Sequence, residues 1–292
     1  MPFADTYAPH YGCKPSTPDT VQMPSFRARA PELLTRTVLS AIDLRHFVEQ
    51  AEVVGATAGQ SPIFDQGDSS SCVANAGSIA VRSKLFVQCE ALDTALAREE
   101  ARAAVDAPSR LCGYEGARRI DRSQMFDGGT HLQSWLDYGR RIGIPRENDP
   151  LLGLSWDPSR VLENVCDAPA VTHAAYDNRI VEAAHRLDDG RSKSELKATV
   201  MALLSNLDFV IFGIPLDVDF GRLTPGQVYT RQKPIIGHHA MCVVGYDVRG
   251  VLVVNSWSRG FCDRGYAWIS WDYFLDAAWD IHVIDVAKPF AR

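Results

Sequence analysis

The first half of the chain carries apolar residues at the spacing of α-helices. Residues 73–86 form a mostly apolar run after three serines, and serine is favoured at the start of a helix. We therefore predict a buried helix with Cys72 in its first turn, where the helix dipole favours a thiolate. Residues 130–141 predict a second helix that ends near Gly143, since three apolar side chains share one face: Leu132, Trp135 and Leu136.

The second half of the chain changes to the shorter period of β-strands. One more helix is expected first, capped by Ser194, with an apolar face formed by Leu196, Val200, Leu203 and Leu207. Apolar runs then predict four strands, over residues 209–214, 240–246, 251–254 and 266–269. Residues 247–250 (Asp-Val-Arg-Gly) are typical of a turn, so we expect the middle two strands to form a hairpin.

The composition admits one large core or two modest lobes, because 46% of the 292 residues are hydrophobic. The formal net charge is −6, and without a basic run it gives no support to nucleic-acid binding. The N-terminus lacks the charged start and apolar stretch of a signal peptide, and no segment is apolar for long enough to span a bilayer. We expect a cytoplasmic monomer, or one exported without a cleavable N-terminal signal peptide, that binds neither nucleic acid nor membrane.

The cysteines show no pattern of metal ligands or of a disulfide framework. There are seven, an odd number, scattered along the chain: Cys13, Cys72, Cys89, Cys112, Cys166, Cys242 and Cys262. This usage favours a reducing compartment. We expect no metal and no organic cofactor.

One cysteine belongs to a set of residues with the chemistry of a thiol nucleophile. Gln66 lies six positions before Cys72, and far downstream Asn255 lies sixteen positions after His239. An imidazole that accepts the thiol proton produces a thiolate at neutral pH, and an amide carbonyl can orient that imidazole through its other nitrogen. We assign these tasks to His239 and Asn255. Judged on its helix alone, Cys72 could equally be a small buried core residue.

The order and spacing of these pieces, with Trp257 beside Asn255, resemble the papain-like cysteine peptidases, in particular bacterial members with short pro-segments. The resemblance runs in outline from about residue 40 to the C-terminus and is specific only at the motifs. It implies an α+β, two-lobed fold. A helical lobe (about residues 40–165) and an antiparallel β-sheet lobe (about residues 166–286) would meet in a cleft that holds the active site.

The resemblance also assigns residues to the oxyanion and to the substrate. The side-chain amide of Gln66 and the backbone N–H of Cys72 would hold the oxyanion. Gly129 matches the glycine that pairs with an extended substrate, although the same loop could be a turn that only begins a helix. For His131, a substrate role and no role are equally open. The expected substrate-binding residues are Gly128, Gly129, Thr130, His131, Leu132, His238, Ala240 and Trp257.

Two adjacent histidines compete for the role of base. Neighbours on a strand point to opposite faces, so only one of them can meet Cys72. In the family, a small residue and then alternating apolar residues follow the catalytic histidine, which selects His239 before Ala240. His238 would then line the cleft.

The chain departs from the family pattern at several positions. Ser69 and Phe126 stand where secreted members carry a disulfide, which agrees with a reducing compartment. Val73 replaces the tryptophan that usually follows the nucleophile, and residues 258–262 (Ser-Arg-Gly-Phe-Cys) replace a glycine-rich stretch. The leaving-group side of the cleft could therefore differ in shape and charge.

Residues 1–37 are polar and dotted with proline, which predicts an extended segment. They stand where relatives carry a pro-segment. We predict that this segment lies along the cleft and inhibits the peptidase domain (residues 38–292). The alternative is a disordered tail or a surface strap without inhibitory role.

Three functional hypotheses remain at this stage. The preferred one is a cysteine endopeptidase that hydrolyses peptide or protein substrates through an acyl-enzyme. A second keeps the thiol chemistry but gives it another acyl substrate, by cell-wall peptide hydrolysis or amide transfer. A third is a catalytically silent binding homologue, which the presence of all four polar groups argues against: Gln66, Cys72, His239 and Asn255.

Overall fold

The computed structural model of the chain describes residues 11–17, 23, 25–26, 38–53, 60–179 and 181–287. The remainder of the predicted N-terminal segment (residues 1–37), including His10, lies outside the described residues.

The described part of the chain forms eight α-helices, five of which precede most of the sheet. They are α1 (Arg45–Val53), α2 (Cys72–Glu90), α3 (Ala95–Ala103), α4 (Arg110–Ile120), α5 (Leu132–Arg141), α6 (Pro169–Asp177), α7 (Lys193–Ser205) and α8 (Trp271–Ala277). Short 3-10 helices occupy Pro158–Arg160, Val165–Asp167 and Phe220–Arg222. Among the described residues, no helix combines the length and apolar character needed to cross a membrane.

Helix α2 lies at the centre of the helical lobe and is buried on nearly all sides. Its N-terminal half consists mainly of small residues, so other helices approach it closely. A Cβ added at Gly77 would lie 2.5 Å from the ring of Trp135 in α5. The helix begins at Cys72, as the sequence predicted. Ser71 is the N-cap residue, but its hydroxyl accepts from the Asn75 side chain instead of capping a backbone N–H.

The strands form one mostly antiparallel sheet in the second half of the chain. They are β1 (Ile42–Asp43), β2 (Val181–Arg186), β3 (Val210–Leu216), β4 (Val228–Tyr229), β5 (Gly237–Tyr246), β6 (Gly250–Val254), β7 (Tyr266–Ser270) and β8 (Trp279–Val286). The order across the sheet is β2-β8-β3-β5-β6-β7-β4. Strand β1, which precedes the helices in the chain, also pairs with β5. Among the strand pairs of the described residues, only β4 and β7 run parallel to each other.

The hairpin of β5 and β6 positions the residues predicted for catalysis on the sheet. The two strands are antiparallel, with Cys242 opposite Val254, and a turn over residues 247–249 joins them as expected. His239 therefore lies near the open end of the hairpin on β5, and Asn255 directly follows β6. The same end of β5 faces the start of α2.

One detail of the expected secondary structure is wrong, and two of the longer strands were not expected. The cap of α7 is Ser192 and not Ser194, because Ser192 forms a reciprocal capping box with Glu195. Strands β2 and β8 were not predicted. In β8, the fully buried Asp280 and His282 interrupt the apolar pattern, since this strand is covered on both faces.

Candidate active site

The candidate nucleophile, Cys72, is the first residue of α2 and is fully buried. Burial raises the pKa of its thiol to about 11. The backbone at Ala240 and at Gly12 acts on the thiol pKa in the opposite direction, so the sulphur lies near the strand residue that follows His239.

The candidate base, His239, lies on β5 opposite Ile214 of β3 and is also fully buried. Its Nε2 is 2.7 Å from the side-chain oxygen of Asn255. Its Nδ1 is buried and has no hydrogen-bond partner among the described residues. Burial lowers the pKa of His239 to about 4, although the hydrogen bond to Asn255 acts in the opposite direction.

The Asn-Ser-Trp motif packs around this imidazole. The side-chain oxygen of Asn255 also accepts from the backbone N–H of Ser256 at 2.8 Å, which fixes its orientation. The ring of Trp257 lies 4.9 Å from that of His239, centroid to centroid. Trp257 is almost fully buried and covers the imidazole against water.

Gln66, the candidate oxyanion donor, is held by two hydrogen bonds of its side chain. Its amide nitrogen donates to the carbonyl of Ser69 at 2.7 Å, and its amide oxygen accepts from the Ser256 hydroxyl at 2.6 Å. Its backbone N–H donates to the carbonyl of Ser256 at 2.8 Å. Ser256 therefore connects Gln66 to Asn255. Ser256 was not predicted as a site residue, although it lies inside the motif that identified its two neighbours.

A short stretch of the N-terminal segment crosses this site. We call residues 11–17 the cleft segment. The carbonyl of Gly12 accepts from the N–H of Thr130 at 2.8 Å, and the N–H of Lys14 donates to the carbonyl of Thr130 at 3.0 Å. On the sheet side, the N–H of Cys13 donates to the carbonyl of His238 at 3.2 Å. Both walls of the cleft thus bind the backbone of this segment.

One side chain of the cleft segment covers the candidate base, and another binds a carboxylate further along the cleft. The ring of Tyr11 meets those of His239 and Trp257 edge to face, with centroids 5.9 and 6.0 Å away. Further along, Ser16 donates to the carboxylate of Asp280 from both its backbone N–H (3.0 Å) and its hydroxyl (2.5 Å).

The residues expected to bind substrate differ in whether they contact the cleft segment. Thr130 supplies both backbone groups that pair with the cleft segment, and a Cβ added at Gly129 would lie 1.9 Å from the carbonyl oxygen of Gly12. His131 Nδ1 is 3.0 Å from the carbonyl oxygen of Lys14. Gly128 is exposed and has no such contact among the hydrogen bonds of the described residues, whereas Leu132 is fully buried in α5.

His238 lies on the rim of the sheet wall. Its ring is half-buried and meets Trp279 edge to face at 5.1 Å. Burial lowers the pKa of His238. Its side chain does not share the hydrogen bond to Asn255, which belongs to His239.

All seven cysteines are free thiols, and six of them are buried. Among the described residues, no group of three or more His, Cys, Asp or Glu side chains is placed to hold a metal ion.

Comparison with known proteins gives a consistent result at the level of structure alone. No sequence-family model matches the chain, and no curated protein matches it by sequence. Xylellain, a cysteine protease from Xylella fastidiosa, superposes with a TM-score of 0.69 at 19% identity, over 95% of this chain and 96% of that one. The chain has the papain-like fold. The expectation of an α+β papain-like architecture is therefore confirmed.

Other papain-like structures agree with this result. The procathepsin B S9 of Trypanosoma congolense has a TM-score of 0.64 at 14% identity and covers 95% of this chain and 86% of its own. Bromelain from Ananas comosus, solved with the inhibitor E64, has a TM-score of 0.58 at 15% identity and covers 86% of this chain and 100% of its own. At these identities the likeness establishes the papain-like fold, and activity must be argued from the site.

Proposed function

We propose that the chain is a cysteine endopeptidase in which Cys72 is the nucleophile and His239 the base. One observation supports this most. The buried sulphur of Cys72 lies near the backbone of the residue after His239, while Asn255 holds the imidazole of His239 at Nε2. A buried histidine with one ring nitrogen oriented and the other without a partner is suited to exchange a proton with a nearby thiol.

The reaction would follow from this arrangement. Nδ1 of His239 takes the proton of the Cys72 thiol, and the thiolate attacks the carbonyl carbon of the scissile peptide bond. The N–H of Cys72 and the amide of Gln66 stabilise the oxyanion that forms. The imidazolium gives its proton to the leaving amine, and water then hydrolyses the thioester with His239 again accepting a proton.

The substrate backbone would occupy the place of the cleft segment. We assign its main-chain partners to Thr130 on the helix side and to the carbonyl of His238 on the sheet side, because these groups bind the segment now. Gly129 gives the peptide room, since any Cβ there would collide with a chain in this position.

We further propose that the cleft segment keeps the enzyme latent. It occupies the main-chain partners of a substrate, and its Tyr11 ring covers His239. With the segment bound, the pKa values of about 11 for Cys72 and about 4 for His239 leave both groups neutral at pH 7. Displacing the segment would admit water, lower the thiol pKa and raise the imidazole pKa toward an ion pair.

Digestion of a peptide library tests the activity. Wild-type protein should cleave library members, and Cys72→Ser should leave them intact. An intact library, together with thioester formation on a different acyl compound, would favour the second enzyme hypothesis. Failure of Cys72 to react with either would favour a binding homologue.

Truncation tests the latency. A chain that starts near Val38 should turn over faster than the full chain at equal active-site concentration, and its Cys72 should be alkylated faster by iodoacetamide. Equal rates in the two forms would show that the cleft segment is not inhibitory.

A further inference from the structure

The loop that binds the cleft segment (residues 126–130, the substrate-binding loop) is joined through the carboxylate of Asp127 to the loop before Cys72 (residues 66–71, the nucleophile loop). Both side-chain oxygens of Asp127 accept from the backbone N–H of Ser70, at 3.1 and 3.0 Å. The hydroxyl of Ser70 in turn donates to the carbonyl of Asp127 at 3.2 Å. Ser70 is two residues before Cys72, and Asp127 is three residues before Thr130. These hydrogen bonds therefore cross the helical side of the cleft close to both functional groups.

A buried tyrosine extends this connection to Gly129. The hydroxyl of Tyr114, on α4, donates to Asp127 at 2.5 Å and accepts from the backbone N–H of Gly129 at 3.0 Å. Burial and the neighbouring carboxylate raise the pKa of Tyr114, so its hydroxyl keeps the proton that it donates. The guanidinium of Arg118 lies over the face of the Tyr114 ring, 4.3 Å from its centre, and packs the ring in place.

The need for such a connection follows from the local sequence. Gly128 and Gly129 give the loop little conformational restriction, and no disulfide ties it down, since all seven cysteines are free. The hydrogen bonds of Asp127 thus join the two loops without a covalent bond.

We propose that Asp127 is a positioning residue that, with Tyr114, sets the spacing between the substrate-binding loop and Cys72. The proposal rests on the endopeptidase function proposed above. Asp127 does not touch the reacting atoms. It acts through Ser70 on the nucleophile loop and through Tyr114 on Gly129. The reaction rate depends steeply on this spacing, because displacing the substrate from the nucleophile by about 1 Å can lower the rate about 10²-fold.

Hydrogen exchange of the Gly129 amide tests the connection without any assay of activity. The amide should be protected in the full-length protein and should lose protection in Tyr114→Phe and in Asp127→Ala. Asp127→Asn keeps one acceptor oxygen and should retain part of the protection. Asp68→Asn is the matched control, since Asp68 is an exposed carboxylate on the same loop as Ser70. Unchanged exchange in both Tyr114→Phe and Asp127→Ala would overturn the proposal.

Kinetics separate positioning from a general loss of structure. All variants carry Ser16→Ala in the full chain, which weakens the hold of the cleft segment by removing its hydroxyl bond to Asp280 and does not touch Ser70. Asp127→Ala should raise KM for a peptide about tenfold or more, since the substrate backbone binds the displaced loop. Alkylation of Cys72 by iodoacetamide, which does not use that loop, should change less than twofold. Asp127→Asn should raise KM less than Asp127→Ala does. Adding Tyr114→Phe to Asp127→Ala should raise KM little further, because both residues act in one chain of hydrogen bonds.

The outcomes distinguish this proposal from the function on which it rests. Alkylation that slows in parallel with turnover, together with a lower Tm, would show a merely structural role for Asp127 and would overturn the proposal. Effects of Asp127→Ala and Tyr114→Phe on KM that add fully in the double variant would also contradict the proposal. Absence of peptide cleavage in the wild type would remove the endopeptidase function, whereas exchange at Gly129 would still decide whether Asp127 and Tyr114 position the loop.

Discussion

The two walls of the cleft differ in how completely the polar groups beside the candidate catalytic residues are satisfied. On the helix side, the hydroxyls and carboxylates next to Cys72 or Thr130 bond to other side chains or to backbone: Ser69, Ser70, Ser71, Asp121 and Asp127. On the sheet side, three buried nitrogens of the histidine and of the Asn-Ser-Trp motif around it have no hydrogen-bond partner among the described residues: Nδ1 of His239, Nδ2 of Asn255 and Nε1 of Trp257.

We interpret this difference as a division between residues that hold the site in place and residues that exchange protons. A buried polar atom without a partner costs free energy, so native proteins keep few of them outside functional sites. The helix side holds Cys72 and the loop of Gly129 in fixed places. The sheet side keeps an imidazole nitrogen available for a proton. We therefore expect substitutions on the sheet side to affect chemistry, and substitutions on the helix side other than at Cys72 and Gln66 to affect binding and spacing.

The largest expected effect is the loss of either member of the thiol and imidazole pair. Cys72→Ala and His239→Ala should each lower kcat/KM about 10⁴-fold or more, because neither proton transfer nor acyl-enzyme formation can occur. Steady-state cleavage of a fluorogenic peptide measures this.

His238→Ala is the comparison on the same strand and should lose less than about tenfold, since its side chain does not reach Asn255. An inactive His238→Ala beside a nearly normal His239→Ala would reverse the assignment of the base.

Asn255→Ala should have an intermediate effect on the same wall. The imidazole would lose the acceptor that orients Nε2 but would keep the Trp257 ring against it, so a reduced rate should remain. We expect a fall in kcat of about 10²-fold with little change in KM. A rate as low as that of His239→Ala would indicate that Asn255 takes part in proton transfer or in folding.

Gly12→Ala should weaken the contact of the cleft segment with the helix side. An added Cβ would lie 1.8 Å from the carbonyl oxygen of Ser70, which the backbone there cannot accommodate without a shift. Overpacking of this kind costs about 1 to 3 kcal/mol, so turnover by the full chain should rise about tenfold.

Gly221→Ala is the control for this substitution, because no heavy atom lies within 4 Å of its added Cβ. Equal rates for Gly12→Ala and wild type would argue that the cleft segment does not limit turnover.

The smallest effect concerns stability against acid. His239 has a pKa lowered to about 4 in the folded chain, so between about pH 6.5 and pH 4 the unfolded state binds more protons there. The stabilisation is therefore present above pH 6.5 and is lost as the pH falls, by at most about 3 kcal/mol.

Calorimetry of the full chain should show Tm falling by several degrees over that range. In His239→Gln, which cannot take up the proton, Tm should fall less. The same pH dependence in both proteins would mean that other groups dominate the acid transition.

Much of the fold could be predicted because its signals are local. The apolar run after Cys72, the turn at residues 247–250 and the strand runs on either side of it lie in short stretches of sequence. The strand β8 could not be predicted in this way. Its buried Asp280 accepts from Ser16, more than 260 positions earlier in the chain, and such partners leave no local signal.

The candidate site likewise has features with a local sequence signal and features that depend on partners far apart in the chain. The sequence by itself determined which residue types are the candidates for the chemistry: a cysteine at a helix start, a histidine before alternating apolar residues, and an Asn-Ser-Trp motif. Only the tertiary structure decided how they are held. Ser256 joins Gln66 to Asn255, Asp127 joins the glycine loop to Ser70, and Thr130 receives the backbone of the cleft segment. The reason is physical, since spacing along the chain can identify a reactive group, but hydrogen-bond partners far apart in sequence become neighbours only after folding.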